Sequence, residues 1–213
     1  MLRWRLIVGA GLVAALAALC WLDVRADRPG AYLAPLAVAA AWLAAGEMLR
    51  LFRAGNSAPA DWTVYAGVLL PVLASAAAVL WHDRPAGIPI GRLGWLALGL
   101  TAGLAAALIG EMRRYDAPGR SVAAAAQAAL AVLYVGGLLG MLVQLRLVPG
   151  WDAAWPLLPL ASMIGVVKLS DTCQYIAGRT LGKHKLAPRI SPGKTWEGAI
   201  YGILLATAIG TMV

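Results

Sequence analysis

The feature that most restricts this chain is a series of seven apolar runs, roughly Leu6–Leu22, Ala31–Leu49, Val64–Trp81, Leu93–Ile109, Val122–Leu145, Trp155–Gly178 and Ala199–Val213. A helix needs about 20 residues to cross the hydrocarbon core of a bilayer. A soluble helix needs only one apolar stripe, whereas these runs, the second half of the sixth aside, are apolar on every face. Charged residues make up 13% of the 213, where soluble domains carry about 25%, and 61% are hydrophobic with a mean hydropathy of +0.75. The expected fold is therefore all-α, a polytopic transmembrane helical bundle of about seven spans. A cytosolic basic loop is expected between the last two.

Turn signals such as Asp27-Arg28-Pro29-Gly30 and Ala117-Pro118-Gly119 separate the runs. Arg3 and Arg5 ahead of the first run resemble a signal sequence. That run is longer than a typical signal core, and no small-x-small cleavage site follows cleanly, so it reads as an uncleaved span. Trp21, Trp42, Trp62, Trp81, Trp95, Trp151 and Trp155 fall near span ends, as in an interfacial aromatic belt, and need no binding role. Cys20 and Cys173 have no metal-ligand spacing and build no disulfide framework, so each reads as a structural thiol. The small-xxx-small spacings Gly99/Gly103, Gly136/Gly140 and Gly198/Gly202 permit close helix packing, and carry no functional weight in so Gly- and Ala-rich a chain.

The formal charge is +8. Because the charges lie between apolar runs, topology and lipid headgroups account for them and nucleic acid is not an expected partner. The N-terminus and the second, fourth and sixth loops hold 12 of the 18 Lys and Arg, against 5 in the odd loops, with Lys168 inside the sixth span. The positive-inside rule then puts the N-terminus and loop 179–198 in the cytosol, for an integral protein of the cytoplasmic (inner) membrane. Glu47 and Glu111 lie at cytosolic helix ends, where snorkelling or pairs with Arg50 and Arg114 would account for them.

The sixth span opens with Pro156 and Pro159, then turns polar at Lys168, Ser170, Asp171, Thr172 and Gln174. Ionisable groups at membrane depth are costly unless paired or hydrated. Lys168 and Asp171, three apart, share a helix face. They form either an intramembrane ion pair or part of a polar face on a water-filled cavity, and the next segment favours the cavity. Arg179, Lys183, Lys185, Arg189 and Lys194 fall within sixteen residues, together with His184. Gly178, Gly182, Pro188, Pro192 and Gly193 break the helix there and make a shaped loop. Glycine lets backbone N–H groups approach phosphate oxygens, and Arg and Lys add charge-assisted hydrogen bonds. A plain headgroup-binding loop is the bland alternative. A Walker-type loop is rejected, because Pro188 stands where that motif needs its first glycine and no strand precedes it.

Ser170-Asp171-Thr172, Tyr175, Gly178-Arg179, the run Gly182 to Pro192, and Lys194-Thr195-Trp196-Glu197-Gly198 resemble the cytosolic loop of the phosphatidate cytidylyltransferases (CDP-diacylglycerol synthases). The close match covers about thirty residues; the upstream spans match only as apolar helices. The resemblance implies a nucleotidyltransferase of phospholipid biosynthesis that joins CTP to phosphatidate, giving CDP-diacylglycerol and pyrophosphate with a divalent metal such as Mg²⁺. It also implies a second, acidic signature downstream that these 213 residues do not contain, so a C-terminally truncated member is expected. The chain divides into N-terminal transmembrane helices, 1–154, and a catalytic-type segment, 155–213, made of the polar sixth span, the basic loop and an incomplete seventh span.

On this resemblance Asp171 is the expected metal ligand. Lys168 would hold the lipid phosphate or orient Asp171. Arg179, Lys183, Lys185, Arg189 and Lys194 would share the triphosphate and the leaving pyrophosphate. Of these, Lys168, Asp171, Lys183 and Lys194 are the expected catalytic residues. His184, Ser191 and Thr195 complete the expected nucleotide-binding set, and Glu197 is a supporting acceptor or a helix-start residue. Phosphatidate, membrane lipid and CTP are the expected partners, and a homodimer is left open. The alternatives are a CTP-dependent polyprenol or phytol kinase and a non-catalytic relative. A transporter fits less well, because the polar residues gather on one loop rather than along a path.

Overall fold

A computed structural model describes residues 2–28, 30–55, 57–80, 91–115, 117–146, 157–189 and 191–211. Trp81, Arg84, Trp151, Trp155, Pro156, Ile190 and the last two residues of the seventh expected span lie outside the described residues. The chain forms two compact units, Met1–Pro156 and Leu157–Val213.

The N-terminal unit holds α1 (Leu2–Arg25), α2 (Leu33–Arg53), α3 (Asp61–Leu80) and α4 (Arg92–Arg113). Its last helix begins as α5 (Pro118–Ala131), passes through a π-helical segment (Val132–Gly137) and ends as α6 (Leu138–Arg146). Pro118 sits in the first turn of α5, where its missing N–H would have no intrahelical partner anyway. Three helices are long and apolar enough to cross a membrane among the described residues: Leu33–Arg53, Leu93–Arg113 and Gly119–Arg146. The fold is an all-α membrane bundle, with a helix at each of the seven expected places.

Helix α3 is the hub and packs on α2, α4, α5, the π-helical segment and α6. The packing surfaces are small, since lipid gives helices no hydrophobic reason to associate and close van der Waals contact must serve instead. Val64, Val68 and Val72 of α3 are fully buried, as are Ala41, Ala45 and Val132. The glycine spacings do this packing. A Cβ on Gly99 would lie 2.6 Å from Pro71 Cα, and one on Gly103 would lie 2.6 Å from the Gly67 carbonyl. One on Gly136 would lie 2.9 Å from the Val68 carbonyl, and one on Gly140 would lie 2.6 Å from Leu96 Cδ1.

Two buried carboxylates hold helix ends in this unit. Asp23, fully buried, accepts from Gly30 N–H (2.9 Å) and Tyr32 N–H (2.9 Å) at the start of α2 and from Arg146 Nε (2.6 Å) at the end of α6. Gly30 there has φ of 89°, a conformation that favours glycine. Glu111 accepts from Ala60 N–H (2.7 Å) and Thr63 Oγ1 (2.8 Å), so it caps the open N-terminus of α3. This corrects both expectations for Glu111, snorkelling and a pair with Arg114, because the carboxylate is turned inward and buried. The companion pair between Glu47 and Arg50 is present at 2.8 Å.

The C-terminal unit consists of α7 (Leu157–Thr180), a two-stranded antiparallel hairpin of β1 (Lys185–Ala187) and β2 (Ser191–Thr195), and α8 (Trp196–Gly210). Pro159 lies in the first turn of α7, where proline is tolerated. The basic loop is thus a hairpin framed by two helices.

Candidate active site

Helix α7 is apolar only from Leu157 to Val167, a rise of about 17 Å at 1.5 Å per residue, roughly half of a hydrocarbon core. Its remaining turns carry Lys168, Ser170, Asp171, Gln174 and Arg179. Four glycines set how closely this polar half approaches α8. Gly198 and Gly202 are buried against Gln174, with a Cβ on Gly202 falling 2.2 Å from Gln174 Cγ. A Cβ on Gly182 would meet the Gly178 carbonyl at 2.1 Å and Thr195 Cγ2 at 2.7 Å. Ser170 Oγ donates to the Gly202 carbonyl (3.0 Å), and Gln174 Nε2 donates to Ser170 Oγ (3.2 Å), so polar side chains join the two helices as well.

The hairpin register explains its shape. Lys185 pairs with Thr195 and Ala187 with Ser191, so Leu186 alone stands opposite Pro192, Gly193 and Lys194. Two extra residues on β2 must bulge. Pro192 has no N–H to give to a ladder, which places it where pairing is interrupted. Thr195 then ends the strand and caps α8: its Oγ1 accepts from Gly198 N–H at 3.2 Å, and the residue is buried.

Between α7 and the hairpin lies a cavity of about 630 Å³. Asp171, Gln174, Tyr175, Gly178 and Arg179 form its helical wall, and Lys185, Leu186, Ser191, Gly193, Lys194 and Thr195 form the hairpin wall. The volume suits a small-molecule ligand. Asp171, Arg179, Lys185, Ser191, Lys194 and Thr195 of the expected residues therefore share one cavity. Arg179 Nη1 donates to Tyr175 Oη at 2.9 Å along α7. Lys168, Lys183, His184 and Arg189 are exposed and are not part of the wall. No ion pair joins Lys168 to Asp171 among the described residues. The exposed carboxylate of Asp171 belongs to the cavity instead.

His184 is engaged elsewhere. Its Nδ1 lies 2.7 Å from Glu197 Oε1, its backbone N–H donates to both carboxylate oxygens at 3.3 Å, and its carbonyl accepts from Trp196 N–H at 3.0 Å. The carboxylate can only accept, so Nδ1 carries the proton. Glu197 precedes the apolar run that begins at Ala199. Its carboxyl is held down at about 2, first by its own backbone N–H and then by the His184 ring, with His184 and Lys183 N–H groups adding to this against the desolvation that opposes it.

Asp171 is the one carboxylate on the wall, and no group of three His, Cys, Asp or Glu side chains gathers among the described residues. A lone carboxylate fits an ion such as Mg²⁺, which takes one or two carboxylates and completes its shell with phosphate oxygens and water. Gln174 is expected only as part of the polar face, Tyr175 only as a member of the matching motif, and Gly193 only as a break that shapes the loop. The signal for the first two was the i, i+3, i+4 spacing from Asp171 along one helix face.

The model of the cytidylyltransferase family matches residues 3–213. The chain is similar to the phosphatidate cytidylyltransferase of Pseudomonas aeruginosa, 43% identical over 72 residues, which are 30% of this chain and 25% of that protein. It is similar to the phosphatidate cytidylyltransferase of Brucella suis at 51% over 51 residues, 24% of this chain and 19% of that protein. The Haemophilus influenzae phosphatidate cytidylyltransferase is 48% identical over 44 residues, 21% of this chain and 15% of that protein. The chain thus matches a quarter or less of the length of these relatives. No solved structure matches it.

Proposed function

The chain belongs to the cytidylyltransferase family, and from that premise we propose that its C-terminal unit transfers a cytidylyl group from CTP to phosphatidate, giving CDP-diacylglycerol and pyrophosphate. The observation that carries this reading is the cavity itself, in which one carboxylate, Asp171, shares a wall-lined space with three cations, Arg179, Lys185 and Lys194. That charge pattern suits a polyphosphate with a counter-ion, which can accept charge-assisted hydrogen bonds from all three cations, whereas an apolar ligand can accept none.

In the proposed reaction a phosphate oxygen of phosphatidate attacks the α-phosphorus of CTP. The α–β bridging P–O bond breaks and its electron pair leaves with pyrophosphate. A phosphate monoester has a second pKa near 6, so the nucleophile is largely dianionic at pH 7 and needs no strong general base. The protein's task is to bring two polyanions together and to stabilise charge on the leaving group. Lys185 and Lys194 on the hairpin and Arg179 on α7 take the triphosphate, and the bulge at Gly193 offers backbone N–H groups close to the phosphates. Asp171 would hold a Mg²⁺ ion, which supplies charge neutralisation between the two phosphate groups when bound. Lys168, one turn from Asp171 towards the apolar half of α7, is assigned to the lipid phosphate. Lys183, His184 and Arg189, outside the wall, are assigned to the entering nucleotide's field and to the hairpin's shape. The charge asymmetry of the loops supports a cytosolic hairpin and an inner-membrane location.

The reading is tested by supplying the bilayer-inserted chain with phosphatidate and CTP labelled on either the α- or the γ-phosphate. Transfer of α-label into extracted lipid is the expected result. Transfer of γ-label would mean kinase chemistry, and label confined to the aqueous phase would remove the transferase reading.

A further inference from the structure

The hairpin supplies cations, yet triphosphate binding alone does not distinguish a nucleotide from inorganic polyphosphate. Among the described residues, one aromatic side chain lines the cavity, Tyr175. It is 65% exposed, so its ring is open to a ligand rather than spent on packing. Its hydroxyl accepts from Arg179 Nη1 at 2.9 Å. The same guanidinium that fixes the ring therefore lines the cavity beside it, with four further N–H donors in its fork.

We propose that Tyr175 is the platform on which the base of the nucleotide stacks, with Arg179 linking that platform to the phosphate-binding wall. This rests on the CTP reading above and adds to it the group that recognises the base. Stacking on an aromatic ring contributes substantially for every base, because every base has a π-face. Tyr175 accordingly supplies affinity for a base and not its identity. Uracil and cytosine nucleotides gain from it alike.

The test compares binding of CTP, UTP and inorganic triphosphate to the bilayer-inserted chain and to its Tyr175→Phe and Tyr175→Ala variants, with thermal midpoints as the folding control. Because Tyr175 is exposed, all three proteins are expected to show the same thermal midpoint. Tyr175→Phe, which keeps the ring, is expected to bind CTP within about threefold of the parent chain. Tyr175→Ala is expected to weaken CTP and UTP equally, by about 5- to 100-fold, and to leave triphosphate unchanged. The proposal is overturned if Tyr175→Ala binds CTP normally, or if it weakens triphosphate as much as CTP, since the residue would then only position Arg179. Tyr175→Phe failing as badly as Tyr175→Ala would overturn it too, because the hydroxyl and not the ring would matter. A parent chain that binds neither nucleotide nor triphosphate would sink the transferase reading itself, and is distinguishable from all of these.

Discussion

Glu197 holds His184 from two sides: the carboxylate meets the ring at 2.7 Å and accepts the backbone N–H of the same residue. The first turn of α8 thereby clasps the entry to β1, and the cations on either side, Lys183 and Lys185, inherit their positions from that clasp.

Replacing Glu197 by Ala should loosen the hairpin mouth and raise the CTP concentration needed for half-saturation, by less than about tenfold because the His184 ring is largely exposed. Glu197→Gln keeps an acceptor and should lie between the two. The carboxyl falls from an ordinary 4.5 to about 2, so its contribution is fully present above pH 4.5 and is lost as pH falls through about 2. Amide exchange at His184 across that range checks the sign: protection should be flat from neutral pH to about 5 and decline below it.

Gly182 and Gly193 should respond differently to a single added methyl group. Alanine at 182 would drive its Cβ to 2.1 Å from the Gly178 carbonyl, whereas alanine at 193 meets nothing within 4 Å. Gly182→Ala is expected to cost about 1–3 kcal/mol or more of stability. Gly193→Ala should leave the thermal midpoint in detergent unchanged while weakening nucleotide binding.

Asp23 and Arg146 form a buried pair whose side chains are 0% and 3% exposed. Removing one partner leaves a buried charge, so Asp23→Ala should destabilise the N-terminal unit by about 3–5 kcal/mol. The double variant Asp23→Ala/Arg146→Met should recover the part due to the unpaired charge, while the Gly30 and Tyr32 N–H groups still lack their acceptor. A thermal double-mutant cycle measures the coupling directly, and additive losses would contradict it.

The cavity separates two lysines that look equivalent in sequence. Lys194 is on the wall and Lys183 is not. Lys194→Ala should weaken CTP binding more than Lys183→Ala, by about tenfold on the strength of one charge-assisted contact. Titration of both variants against CTP decides the order.

Helix positions were legible because the apolar runs are long; the sixth, apolar only in its first half, is expected at Trp155–Gly178 and described as Leu157–Thr180. The hairpin was not legible. Its strands contain three and five residues, and β2 includes Pro192 and Gly193, which read locally as loop. The partner of Glu111 was not legible for a related reason. Arg114 stands at a favourable helical spacing, while the actual partners, Ala60 and Thr63, lie about fifty residues away and are joined only by tertiary packing. Conversely, the cluster of Asp171, Arg179, Lys185 and Lys194 was readable, because glycine and proline breaks force a basic segment back towards the helix before it. Which lysines face inward depends on the register of the bulge, and spacing alone does not carry that information.

The proposed CTP site lies between α7 and the hairpin. Photo-crosslinking with a photoreactive CTP analogue on the bilayer-inserted chain, mapped by peptide mass spectrometry, tests it most directly. Adducts should fall within residues 171–199 and vanish when excess CTP competes. Adducts confined to residues 2–146, or unaffected by competing CTP, would contradict the account.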